Sequence, residues 1–190
     1  MNSVTAPNET KYATAEDVVH DPHMHDEVPV TLTPEFLAHA DVIVSRYPVS
    51  KRSAVMPLLY HWQDAFGYCS QQGITWIAQR LEIQPINVLE VVTFYPMFRQ
   101  HPVGKLQIKV CRTLSCALAG SYETCEFFRG KCGITEIDEH GLGVSADGKF
   151  SVEFVECLAS CGSGPVVMVN DDLYEKVSET KAAEILTKIS

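Results

Sequence analysis

The sequence has no run of about 18 consecutive apolar residues, which excludes a membrane-spanning helix. It is short of positive charge, with 15 lysines and arginines against 24 acids and a net charge of −9, so it is a poor fit to a protein that neutralises nucleic-acid phosphates. The first thirty residues contain no arginine and no apolar stretch, so neither a secretory signal nor a mitochondrial transit peptide fits, and a bacterial cytoplasmic location is expected. There is no C-x-x-C pair of the kind a dithiol redox enzyme places at a helix start. Seven cysteines, an odd number without a secretory signal, make a disulfide framework a poor reading and direct attention to metal ligation.

What is present divides into three stretches. Residues 1–30 carry six acids against the single base Lys11 and show no periodicity, as expected of a disordered acidic tail. His20, His23 and His25 lie there beside Asp21 and Asp26, but without a fold to orient the rings they are read as solvated side chains. Residues 31–100 repeat apolar positions at helical spacing. Thr33 caps a helix opened by Pro34 and carrying Phe36, Ala40 and Ile43, and a second after Ser50 carries Val55, Leu58, Leu59 and Trp62 up to Gly67. Ile74, Ile77, Ala78 and Leu81 mark a third helix, and Pro85 opens a fourth with Val88, Leu89 and Val92, giving a small helical bundle.

Beyond His101-Pro102 the period changes from 3.6 to 2. Leu106, Ile108 and Val110 alternate as a half-buried strand that runs into Cys111. Ser121 is expected to cap a helix through Arg129. Strands are expected over Ser151–Glu156 and Pro165–Val169, with Asn170-Asp171-Asp172 turning the chain back into Leu173–Val177. A final helix capped by Ser178 carries Ala182, Ile185, Leu186 and Ile189. The expected class is α+β, a helical bundle followed by an α/β domain over residues 101–190.

Cys111 and Cys116 form C-x4-C at one strand end, and Cys157 and Cys161 form C-x3-C after another. A [2Fe–2S] cluster takes two thiolates on each iron, so pairs from two loops match its stoichiometry, while four thiolates around one Zn²⁺ match the spacing as well. Gly120, Gly162 and Gly164 let backbone wrap closely, and Thr113, Ser115, Ser160 and Ser163 offer hydroxyl donors. The C-x4-C-x2-C run of a plant-type ferredoxin is missing, because Ala117, Leu118 and Ala119 follow Cys116. A rival quartet pairs Cys111 and Cys116 with Cys125 and Cys132. Seven residues of helix separate that second pair by about 10.5 Å, too far for one metal, so Cys69, Cys125 and Cys132 are read as ordinary thiols.

Two other signals read as structural, and a third stays open. Gly141-Leu142-Gly143-Val144-Ser145-Ala146 fits G-x-G-x-x-A, but Asp147-Gly148 follows it as a turn, so a hairpin is expected and no pyrophosphate site. A Cys69 nucleophile with His61 as base ranks below a buried thiol. Phe94, Tyr95 and Phe98 suit either an interface patch or internal packing.

The stretch from about Tyr47 to Val177 resembles the thioredoxin-like [2Fe–2S] subunit family of bacterial NADH-quinone oxidoreductase, respiratory complex I, known as the 24 kDa subunit. The likeness rests on Arg52-Ser53-Ala54-Val55, Gln63-Asp64, Val92-Thr93-Phe94-Tyr95, Met97-Phe98, Pro102-Val103-Gly104-Lys105, Val110-Cys111, Ser115-Cys116, Gly120, Glu156-Cys157-Leu158, Cys161 and Pro165. Gly164 departs from the family's usual alanine. The resemblance implies a thioredoxin-like domain and a [2Fe–2S] cluster on Cys111, Cys116, Cys157 and Cys161, with no catalytic residue in the chain. It also implies a partner subunit holding flavin mononucleotide and NADH, with which the cluster exchanges single electrons. Other subunits of the complex, not the chain, would supply contact with the cytoplasmic face of the inner membrane. The family extends to small subunits of NAD-linked hydrogenases and formate dehydrogenases. A zinc-stabilised scaffold is the alternative of another class.

Overall fold

The computed structural model describes residues 30–138 and 141–189. The acidic tail with His20, His23 and His25 therefore lies outside the described residues. The chain divides into two compact units, with the boundary between Pro102 and Val103.

The first unit is built from helices α1 (Pro34–Ser45), α2 (Val55–Phe66), α3 (Gln71–Leu81) and α4 (Pro85–Phe94), with a 3₁₀ turn at Lys51–Ala54 leading into α2. Their ends follow local chemistry. The Thr33 hydroxyl accepts the Phe36 amide at 3.2 Å, Ser70 accepts the Gly73 amide at 3.1 Å, and Pro85 stands at the first helical position after Gln84. Gly67 stops α2 in the left-handed conformation at φ 87°, which glycine adopts without steric cost. Phe36, Ala40, Ile43, Leu58, Leu59, Trp62, Ile77, Ala78, Leu81, Val88 and Val92 form the buried core. Trp62 is completely buried against Gly73, where a Cβ would lie 2.4 Å from its Cε2.

The second unit is a five-stranded mixed sheet in the order β2-β3-β1-β4-β5, with strands β1 (Leu106–Cys111), β2 (Gly143–Val144), β3 (Phe150–Val155), β4 (Val167–Val169) and β5 (Asp172–Tyr174). Helices α5 (Leu114–Leu118), α6 (Ser121–Lys131) and α7 (Glu179–Ile189) complete it. β1 and β3 are parallel and in register from Leu106 opposite Phe150 to Cys111 opposite Val155. β4 lies antiparallel on the other edge of β1. Ile108, Val110, Val152, Val167 and Val169 pack with Cys125 and Phe128 of α6 and Ala182 and Ile185 of α7.

Several sequence expectations need correction. Ser121 is the first residue of α6 and not its cap. Gly120 takes the cap position at φ 96°, and the buried Ser121 hydroxyl has no hydrogen-bond partner among the described residues. The expected strand over Pro165–Val169 begins only at Val167, and the return strand ends at Tyr174 because Val177 turns into the core. The five-residue helix α5 has no counterpart in the sequence reading, being too short to show a period. The G-x-G-x-x-A segment forms the expected hairpin: Gly143 and Val144 pair antiparallel with Val152 and Ser151, and Gly148 turns at φ 67°. Among the described residues no helix is long and apolar enough to cross a membrane.

Two glycines set close approaches. A Cβ on Gly104 would lie 2.2 Å from the Phe150 carbonyl carbon, as near as the Gly73–Trp62 contact in the first unit. Gly104→Ala and Gly73→Ala are each expected to lower unfolding stability by about 1–3 kcal/mol through overpacking. Chemical denaturation of the full chain measures this, and an unchanged midpoint would contradict the packing described.

Candidate metal centre

The in-register parallel pairing makes β1 and β3 end level, so both cysteine loops leave the sheet at the same end. After Cys111 the backbone turns into α5, which holds Cys116 in its middle. After β3, Cys157 leads through Leu158, Ala159 and Ser160 to a 3₁₀ turn at Cys161–Ser163 that packs against α5. Arg112 and Glu156, the first residues beyond each strand, form an exposed ion pair, with Nε at 3.0 Å and a terminal nitrogen at 2.6 Å from the same carboxylate oxygen. At that exposure the pair aligns the loops more than it stabilises the fold.

The four proposed ligands fall into a buried pair and an exposed pair. Cys111 and Cys116 are 2% and 1% exposed and pack with Val166 and Leu158 in a small cluster separate from the sheet core. Cys157 and Cys161 are exposed, with their sulfurs 3.9 Å apart. Gly164 backs onto the buried pair, and a Cβ there would lie 3.5 Å from Cys116 Sγ and 3.3 Å from Ala119 Cβ. An alanine at this position is tight but needs only a small shift of its neighbours.

Backbone amides approach three of the four sulfurs. Leu158 and Thr113 donate amide N–H groups to Cys111, whose sulfur also lies 3.2 Å from the Thr113 hydroxyl. Val166 donates to Cys116, and the Ala159 amide reaches Cys157 at 3.3 Å. These donors differ from the glycine amides and serine hydroxyls expected from sequence: Thr113 does donate to a cysteine, but Ser160 and Ser163 bond Glu175 instead. Burial pushes the Cys111 thiol up. Hydrogen bonds from the Thr113 hydroxyl, the Leu158 and Thr113 amides and the Cys116 thiol outweigh it and hold Cys111 below the ordinary cysteine value. Burial, together with the hydrogen bond to Cys111 and the neighbouring Cys111 and Cys161 charges, raises Cys116 against the Val166 amide.

This environment fits an all-thiolate iron–sulfur group. A neutral thiol is a weak acceptor, so amides aimed at sulfur suit thiolates and cluster sulfur. The thiols come as two pairs, and a binuclear cluster takes two per iron.

The remaining cysteines occupy apolar surroundings. Burial pushes Cys69 up to about 12, and Cys125 and Cys132 each to about 11. Cys125 packs in the sheet core, and Cys132 lies at the end of α6. The Cys69 sulfur lies 3.7 Å from the Gln63 side-chain oxygen, while His61 stacks on Phe36 and bonds its carbonyl oxygen at 3.0 Å, so the two make no nucleophile–base pair. Phe98 is buried against Tyr60, whereas Phe94 is 75% exposed.

In metal-free chain at neutral pH, iodoacetamide is expected to alkylate Cys157 and Cys161 first. Cys125 and Cys132 should resist until the pH approaches 11, and Cys69 until it approaches 12, because raised values keep them as unreactive thiols. Peptide mass spectrometry reads the order, and early labelling of Cys125 would contradict it.

Residues 40–190 match the family of the thioredoxin-like [2Fe–2S] ferredoxins. The E subunit of the NADH-quinone oxidoreductase of Rickettsia bellii (strain RML369-C) is 39% identical over 155 residues, covering 80% of this chain and 90% of its own length. The NADH-quinone oxidoreductase subunit 2 of Thermus thermophilus is 41% identical over 128 residues, 67% of each chain. The crystal structure of an NAD⁺-reducing [NiFe]-hydrogenase in the air-oxidized state shares the fold at a TM-score of 0.57 and 18% identity, over 70% of this chain and 22% of the hydrogenase chain. The match across most of its length, on a chain whose two cysteine pairs lie at one sheet end, establishes that this protein belongs to the thioredoxin-like [2Fe–2S] ferredoxin family, and its cofactor is a [2Fe–2S] cluster.

Proposed function

We propose that this chain is the electron-transfer subunit of an NADH:quinone oxidoreductase, with its [2Fe–2S] cluster held by Cys111, Cys116, Cys157 and Cys161. The observation that carries the reading is the convergence of C-x4-C and C-x3-C at the level ends of β1 and β3, with amide donors on the sulfurs. The cluster supplies single-electron acceptance and release, and the protein sets its position and potential. Cys111 and Cys116 would hold the group from the buried side. Cys157 and Cys161 form the exposed side, which a partner's electron carrier approaches. Leu158, Thr113, Val166 and Ala159 offer their N–H groups to thiolate charge, and Val166 and Leu158 exclude water from the buried pair.

The partner is the subunit that binds NADH and flavin mononucleotide, with whose flavin the cluster, once bound, would exchange single electrons. The kinship with NADH-quinone oxidoreductase subunits supports this reading. Residues 31–100 serve as a helical domain that docks the flavoprotein, and residues 101–190 as the cluster domain. Association with the cytoplasmic face of the inner membrane comes through the complex. The fold shared with an NAD⁺-reducing hydrogenase supports a second reading, the equivalent small subunit of an NAD-linked hydrogenase or formate dehydrogenase.

Replacing Cys111, Cys116, Cys157 or Cys161 by serine is expected to abolish or strongly perturb the EPR spectrum of the dithionite-reduced, anaerobically reconstituted chain. Cys125→Ser and Cys132→Ser should leave it unchanged. The reverse pattern would assign the ligands to the other quartet, and a colourless protein with one zinc would replace the cluster with a structural ion. Co-purification with a quinone reductase, a hydrogenase or a formate dehydrogenase decides between the hosts.

A further inference from the structure

We propose that Glu175 is a positioning residue for the loop carrying Cys157 and Cys161, and that it holds the hydroxyls of Ser160 and Ser163 away from the cluster sulfurs, keeping the reduction potential low. The inference rests on the ligand set proposed above.

The loop needs an external hold. Ala159, between the two cysteines, is left-handed at φ 60°, a conformation that strains a non-glycine residue and persists only where surrounding contacts impose it. That conformation accompanies the Ala159 amide's contact with Cys157 Sγ. The contacts come from the segment after β5. The Lys176 amide donates to the Ser163 carbonyl oxygen at 2.7 Å, and the Val177 amide to that of Pro165 at 3.0 Å. Between these and β5 stands Glu175, one of whose carboxylate oxygens accepts from both the Ser160 and the Ser163 hydroxyls. Lys181 bonds the Glu175 carbonyl oxygen at 2.6 Å, fixing the segment against the start of α7. The two hydroxyls hold the carboxyl of Glu175 below the usual carboxylate range.

Ser160 and Ser163 flank Cys161 at one residue before and two after it. A hydroxyl has one hydrogen to donate, and a donor turned to Glu175 is withheld from sulfur. Donors to cluster or thiolate sulfur stabilise the reduced, more negative state and raise the potential. The two hydroxyls lie 2.8 Å apart, with the Ser160 carbonyl oxygen 3.1 Å from the Ser163 hydroxyl, so loss of the carboxylate leaves them to share these contacts or turn toward Cys161 and loosens the loop at once.

The test uses the full chain, anaerobically reconstituted, in redox titration followed by EPR and in a chelator assay of cluster bleaching. Glu175→Ala is expected to raise the midpoint potential and to speed bleaching several-fold, with Glu175→Gln, which keeps an acceptor oxygen, in between. Glu175→Ala combined with Ser160→Ala and Ser163→Ala should bring the potential back toward wild type while bleaching stays fast. A purely structural role would move bleaching in both variants and the potential in neither. Wild-type potential and bleaching in Glu175→Ala overturn the proposal, as does a raised potential that persists unchanged in the triple variant. If the wild-type chain takes up no cluster, the functional reading itself fails, which is a distinct result from a loaded chain indifferent to Glu175.

Discussion

The parallel register of β1 on β3 is the constraint on which the rest of the centre depends. It places Cys111 opposite Val155, so the loops that follow emerge side by side. Because side chains alternate along a strand, a slip of one residue would turn Ile108 and Val110 out of the core and carry Cys111 away from its packing on Val166. The register is therefore held by the same apolar burial that stabilises the sheet. Gly104 acts at the opposite end of β1, where its missing side chain lets the chain meet the Phe150 backbone. A residue far from any sulfur thus takes part in positioning all four.

Identical side chains acquire different chemistry from that framework. Cys125 sits in the sheet core and Cys69 among the helices, where deep burial keeps the proton on sulfur. Cys111 is as hidden from solvent as either but lies less deep in the protein, and amides and a hydroxyl converge on it and favour the thiolate. Depth of burial and the hydrogen bonds made to sulfur together set which thiol gives up its proton.

Much of this was legible in the sequence, for definable reasons. Long elements announce themselves by period: α1 to α4 by apolar spacing with Thr33, Pro85 and Gly67 at their ends, and β1 by the alternation of Leu106, Ile108 and Val110. The cysteine pairs were visible because both directly follow strands. The amide donors were not, since every residue but proline has an N–H and identity does not say where it points. The five residues of α5 and two of β2 are too few to establish a period. Ala159 gives no cue to a left-handed backbone, and Glu175 reaches the loop from 15 and 12 residues away, a pairing only the tertiary fold creates.

The central claim is that four thiolates from two loops hold one binuclear iron–sulfur group. Native mass spectrometry of the anaerobically reconstituted wild-type chain tests it most directly. The account predicts a single adduct whose mass equals two irons and two sulfides per chain. A mass corresponding to one metal ion without sulfide would contradict it.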